Sequence, residues 1–116
     1  MTVTLFGIKN CDTVRKARKW LEAEQVTTQF HDFRDDGLTQ MQLQSWVDTL
    51  GWEAVLNKRS TSFRALSDAQ KSKLDSTSAI ALMLEIPTLI KRPVLVQDDK
   101  VLLGFNAADY QAWFTK

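Results

Sequence analysis

Cysteine and histidine occur once each among the 116 residues, as Cys11 and His31. One cysteine cannot close an internal disulfide, and one cysteine with one histidine cannot build a zinc site, so no metal is expected. A surplus of positive charge is also missing: 15 Lys and Arg face 14 Asp and Glu, for a net charge of +1. Binding along a phosphate backbone calls for a marked basic excess, so no direct contact with nucleic acid is expected. Long hydrophobic runs are absent as well. The longest, AIALMLEIPTLI from Ala79 to Ile90, is broken by Glu85 and Pro87 and is too short to span a bilayer. No signal-peptide pattern precedes the first apolar stretch. A reducing cytoplasm is the expected home, with no membrane partner. No linker, repeat or low-complexity tract interrupts the chain, and residues 1–116 are read as one domain, long enough to bury its own core.

What is present is ordered by periodicity. TVTLFG, Thr2 to Gly7, alternates and is rich in β-branched residues, which predicts a strand. From Thr13 to about Glu24 the apolar residues Val14, Ala17 and Leu21 recur at spacings of three and four, which predicts an amphipathic helix. TTQFHDF, Thr27 to Phe33, reads as a second strand closed by the turn residues Asp35 to Gly37. A strand, helix and strand joined this closely form a βαβ unit with parallel strands.

The middle of the chain is helical in pattern. Thr39 caps a helix carrying Leu43, Trp46, Val47 and Leu50 and ended by Gly51. Further helical patterns run from Leu66 to Leu74 and from about Ser76 to Leu84, the second apolar on most sides and therefore expected to be buried. VLVQDDKVLLGF after Pro93 predicts a hairpin around Asp98, Asp99 and Lys100, and Asn106 with Asp109 starts a last helix through Tyr110 and Trp113. The expected class is α/β: a small mixed four-stranded sheet in the thioredoxin-like arrangement, β-α-β then β-β-α, with a helical insertion at about 38–86.

The chemistry turns on GIKNCDTVR, Gly7 to Arg15. Taken alone, a lone cysteine is most often a small buried apolar residue. Cys11 falls between the first strand and the first helix, where unpaired N–H groups and the positive end of the helix dipole favour a thiolate. Arg15, four residues on, can add a charged donor, and Lys9 adds to the positive field. Asp12 works against the thiolate unless it turns aside to cap the helix. Val14 occupies the place of a resolving thiol in a CxxC motif, so an oxidised Cys11 must end as a mixed disulfide with an external thiol, for which glutathione is the cytoplasmic candidate. His31, in a strand, is not read as a general base. The four tryptophans and Phe63 are read as core and surface-covering aromatics, and Lys58, Arg64 and Lys91 as solvated charges.

NCDTVRKA, FRDDGLT, NKRSTSFR and IKRPVLV, in this order along essentially the whole chain, resemble the arsenate reductase C family. That family comprises glutaredoxin-linked arsenate reductases, Spx transcriptional regulators and YffB-type proteins. The resemblance implies a thioredoxin-like fold, Cys11 as nucleophile, and Pro93 as a cis-proline beside it. It further implies that Lys9, Asn10, Arg59, Arg92 and Pro93 hold substrate or glutathione, with Arg15 assisting Cys11. The arsenate reductases use three arginines to hold the oxyanion, at places that correspond here to Asn57, Arg92 and Gly104. Only Arg92 is an arginine, although Arg59 lies two residues from the first of these places. Arsenate is disfavoured as substrate, because each charge-assisted bond lost is worth about 1.5–3 kcal/mol. Spx regulators usually carry CxxC and act by binding RNA polymerase. Gly51 stands where they have a glycine at the polymerase contact, and here it is read as a helix cap. The expectation is therefore a YffB-like monothiol, a glutathione-dependent thiol reductase or transferase. It should be monomeric, with glutathione as co-substrate, no bound cofactor, and glutaredoxin as a second partner to consider. An Spx-like regulator that binds the RNA polymerase α subunit is the alternative.

Overall fold

The computed structural model describes residues 3–98 and 100–114, and Thr2 and Asp99 of the expected strand and hairpin lie outside the described residues. The chain forms two compact units, one drawn from its two ends, through Asp36 and from Arg92 onward, and the other running Gly37–Lys91.

The first unit is built on a four-stranded sheet of order β2-β1-β3-β4, with β1 Val3–Gly7, β2 Thr28–Asp32, β3 Val94–Gln97 and β4 Lys100–Leu103. β1 runs parallel to β2, with Phe6 opposite His31 and Gly7 opposite Asp32, and antiparallel to β3, with Phe6 opposite Val94. β3 and β4 make the hairpin. This is the thioredoxin-like α/β arrangement anticipated above. The connection between β1 and β2 is α1 (Asp12–Ala23), which buries Val14, Ala17 and Leu21 against the sheet, the face set by their spacing. They join Val3, Leu5, Leu95 and Tyr110 of the last helix, α7 (Ala107–Phe114), in and around the core. Asn106 starts α7 by accepting from the Ala108 and Asp109 N–H groups at 2.9 and 3.3 Å.

α1 ends without a glycine. Gln25 takes the left-handed conformation at φ 59°, and the Gln25 and Val26 N–H groups reach back to Glu22 and Leu21 carbonyls at 3.0 and 2.9 Å. This is the bonding of a Schellman cap, normally given to glycine because it has no Cβ to strain.

The second unit contains α2 (Gln40–Leu50), α3 (Trp52–Val55), α4 (Thr61–Arg64), α5 (Asp68–Ser72) and α6 (Ser76–Glu85), followed by a 3₁₀ turn at Pro87–Leu89. Gly51 closes α2 at φ 89°, as its cap position implied. Two of the sequence expectations need correction. The Leu66–Leu74 pattern yields only the short α5, and α3 and α4 form where no helix was expected; Ser60 accepting from the Phe63 N–H at 3.1 Å is enough to start α4. α6 is not buried on most sides. It buries Ala79, Ile80 and Met83 and leaves Ala81 exposed, because small or apolar side chains on a helix record composition, not which face finds a neighbour. The unit closes where Asn57 N–H bonds to Leu89 O at 2.7 Å and Lys91 N–H to Val55 O at 2.8 Å. Among the described residues no helix is long and apolar enough to cross a membrane.

Candidate functional site

The loop between β1 and α1 begins at Gly7, where there is no room for a side chain. A Cβ there would come within 2.7 Å of Val14 Cγ2, so the strand can meet the helix this closely only through glycine. Val14, at the position a second cysteine would occupy, is fully buried in that contact. Beyond Gly7 the chain turns back on itself: Cys11 N–H donates to Ile8 O at 3.1 Å, and Cys11 O accepts the Arg15 N–H at 3.0 Å. Cys11 is thus the N-cap of α1, extended at φ −98° and ψ 125°, half-buried, and its thiol accepts no hydrogen bond from the helix.

Both cations expected around the thiol form ion pairs with acids. Arg15 Nη1 bonds to Asp12 Oδ1 at 2.9 Å, both side chains largely exposed. Asp12 therefore turns aside to the arginine and does not cap the helix. Lys9 pairs with Asp35, and that bond, then the charge of Asp35, raises the lysine pKa above its ordinary value. Asn10, next to Cys11, is exposed.

Arg92 and Pro93 sit at the same end of the sheet as this loop. β1 leaves the sheet at Gly7 just past the Phe6–Val94 pair, and Pro93 precedes Val94 on the neighbouring strand. The Arg92–Pro93 peptide is cis, and Pro93 O accepts the Gly104 N–H at 2.8 Å. Arg92 is half-buried, and its Nε and Nη1 are enclosed without a hydrogen-bond partner among the described residues. Enclosed guanidinium donors cost free energy unless something accepts from them. Gly104 has φ 76°, a conformation that an arginine would adopt only with strain.

Arg59 belongs to the helical unit. With Leu56, Asn57, Lys58 and Lys91 it lines a cavity of about 320 Å³ whose named side chains carry cations and no acid. Lys58 in that cavity reaches Glu53 at 3.7 Å. The Asn57 side chain accepts the Arg59 backbone N–H at 3.1 Å.

One residue of the site escaped the sequence reading. Asp32, at the end of β2, is 3% exposed and is the one buried charged residue among those described. Its Oδ2 accepts the Lys9 N–H at 3.0 Å, and its Oδ1 accepts the Arg34 and Asp35 N–H groups at 2.7 and 3.0 Å. Burial alone would raise the carboxyl pKa, but the N–H groups of Asp35, Lys9 and Arg34, with the Lys9 ammonium, outweigh it and hold the carboxyl below its ordinary value. Asp32 was read as one more residue of the strand expected over Thr27 to Phe33, and nothing in that polar stretch marked its carboxylate for burial. His31 lies half-buried on β2 with its ring tilted on Phe6, centroids 4.8 Å apart.

A profile of the ArsC family matches residues 6–113. The chain belongs to the ArsC family. Its resemblance to solved structures is close: the YffB protein superposes with a TM-score of 0.92 at 46% identity, covering 96% of this chain and 97% of that one. An arsenate reductase (ArsC) related protein from Brucella melitensis does so with a TM-score of 0.81 at 45% identity, covering 100% and 97%. A global transcriptional regulator Spx from Streptococcus pyogenes is 30% identical over 98% of this chain and 86% of its own length. Within the ArsC family, then, the chain resembles both reductase-related proteins and regulators.

Proposed function

We propose that this ArsC-family chain is a monothiol oxidoreductase that works through a mixed disulfide between Cys11 and glutathione. The observation that carries the reading is Arg92: two enclosed guanidinium donors without a partner among the described residues, at the sheet end from which the Cys11 loop departs. A carboxylate of glutathione is the kind of group such donors take, and it would reach them by rotation of the half-buried side chain.

The chemistry is thiol–disulfide exchange. The Cys11 thiolate attacks the glutathione sulfur of a glutathione mixed disulfide, forming the Cys11–glutathione S–S bond as the old one breaks, and the departing thiolate takes a proton from water. A glutathione thiolate then attacks the mixed disulfide, freeing Cys11 and leaving as oxidised glutathione. No internal thiol competes, because Val14 stands where a resolving cysteine would be. Glutathione is co-substrate in a reducing cytoplasm, no bound cofactor is needed, and glutaredoxin is the protein partner suited to resolving the adduct. Arsenate is a poor substrate in this reading, since Asn57 and Gly104 supply no guanidinium.

The test is incubation with oxidised glutathione followed by intact mass. A one-to-one adduct is expected on the wild type and none on Cys11→Ser. A disulfide-linked homodimer alone, or no adduct under conditions that modify free cysteine, would leave the reading without support.

The likeness to Spx favours a second reading, a regulator that binds the RNA polymerase α subunit. Its test is direct binding of the α subunit to the wild type, where a stoichiometric complex would put this reading first. Gly51→Arg is a poor probe, because φ 89° strains any side chain placed there.

A further inference from the structure

We infer that Asp32 is a positioning residue for Cys11: its buried carboxylate holds the Lys9 peptide and thereby the backbone that places the thiol at the start of α1. The inference rests on the reading of Cys11 as the nucleophile. Between Ile8 and α1 the loop has few anchors. Lys9 and Asn10 are exposed, and the Lys9–Asp35 ion pair is too solvated to fix a backbone. Its backbone bonds are the Cys11 N–H on Ile8 O at 3.1 Å and the Arg15 N–H on Cys11 O at 3.0 Å, both local, and the Lys9 N–H on Asp32 Oδ2 at 3.0 Å, which reaches another strand. This last bond is charge-assisted and sheltered, and it ties the loop to a residue locked opposite Gly7 in the parallel ladder.

Asp32 can do this only as a carboxylate. An asparagine keeps one carbonyl oxygen for the Arg34 and Asp35 N–H groups, but its amide N–H₂ would then face the Lys9 N–H, donor against donor. Asp32→Asn therefore preserves the turn after β2 and releases the cysteine loop. The charges facing Asp32 are Lys9 from the loop and Asp35 and Asp36 from the turn, with the Asp36 side chain accepting the Asp32 N–H at 3.0 Å. Removing one negative charge near a thiol would by itself favour the thiolate and speed alkylation. Loss of positioning slows it. The sign separates the two.

The experiment compares the wild type with Asp32→Asn in iodoacetamide alkylation of Cys11 at neutral pH and in the NMR resonance of the Lys9 amide. Alkylation should slow roughly three- to ten-fold in the variant, since a thiol displaced from the helix start loses the N–H groups and dipole that favour its thiolate. The Lys9 amide proton should move upfield, and in the wild type it should titrate on the acid side with the Asp32 carboxyl. Thr39→Ala, which weakens the cap of α2, serves as a control of lowered stability and should leave the rate unchanged. Unchanged or faster alkylation in Asp32→Asn overturns the inference. Should that variant not fold, a wild-type Lys9 amide that stays fixed as pH falls through the carboxyl range overturns it equally. A wild-type Cys11 that reacts no faster in the folded chain than in urea would sink the nucleophile reading and this inference with it, and the wild-type rate alone identifies that case.

Discussion

The two units start their helices differently. In the helical unit all helices but α3, which starts at Gly51, begin with a side-chain oxygen, from Thr39, Ser60, Ser67 and Asp75, that accepts an N–H of the first turn. Three of these, at Thr39, Ser67 and Asp75, are complete capping boxes. In the sheet unit α7 follows the same rule through Asn106, but α1 begins with a thiol that accepts nothing. An oxygen there would satisfy the first turn and be worth about 0.5–2 kcal/mol. Cysteine forgoes that stabilisation and leaves the first-turn N–H groups of α1 without a side-chain acceptor. The helical unit spends most of its local polar groups on stability, whereas the sheet unit leaves two sets of donors without a side-chain acceptor among the described residues, at the start of α1 and on Arg92.

The largest effect that would sharpen this contrast comes from Arg92. Arg92→Ala should weaken glutathione binding by roughly three- to a hundred-fold, equivalent to about 0.7–3 kcal/mol for one partly sheltered pair. Stability should hold, since the variant also removes two enclosed donors without partners. Arg59→Ala, on an exposed arginine of the other unit, should weaken binding less. Titration of adduct formation against glutathione concentration measures both, and equal losses would erase the distinction between the units.

A second effect is read against pH. The Asp32 carboxyl is held low in the folded state, so its stabilising contribution is fully present above the unfolded value of about 3.9 and is lost as pH falls through the lower folded value. Asp75, in the helical unit, is also held low, by the backbone N–H of Ser78 and then its hydroxyl. Melting temperature against pH for the wild type and Asp32→Asn isolates the first contribution: the variant should lose less stability on acidification. Parallel curves would mean that the buried carboxylate adds nothing.

Smaller still is the cost of an oxygen cap. Thr39→Ala should lower stability by about 1 kcal/mol in urea titration while leaving Cys11 chemistry untouched. A change in adduct rate would couple the two units where the contrast keeps them apart. The smallest effect is a gain. Gln25→Gly should relieve the left-handed strain at the end of α1 and stabilise the chain by about 0.5–1 kcal/mol, read as a raised melting temperature.

Much of the sheet unit was legible in the sequence, because its elements are long enough for their periods to show. Val14, Ala17 and Leu21 announced the buried face of α1, the alternation around Phe6 announced β1, and the acids between two apolar runs announced the hairpin. In the helical unit α3 and α4 were not legible, since four residues hold barely one turn and show no period. The end of α1 carried no glycine to mark it.

Sequence alone determined that this chain has one thiol, that the thiol stands between the first strand and the first helix, and that no second thiol can resolve it. Those facts depend on identity and on local spacing, which a linear chain records in full. The folded structure decided how the charges around the loop pair. Arg15 turned to Asp12, Lys9 to Asp35, and Asp32 was buried beneath the loop with three N–H groups on its carboxylate. The Lys9–Asp32 bond joins residues 23 positions apart, brought together because β1 and β2 pair in parallel across a helix. Partners at such separations are chosen by the register of the sheet, and no local period in the sequence encodes them.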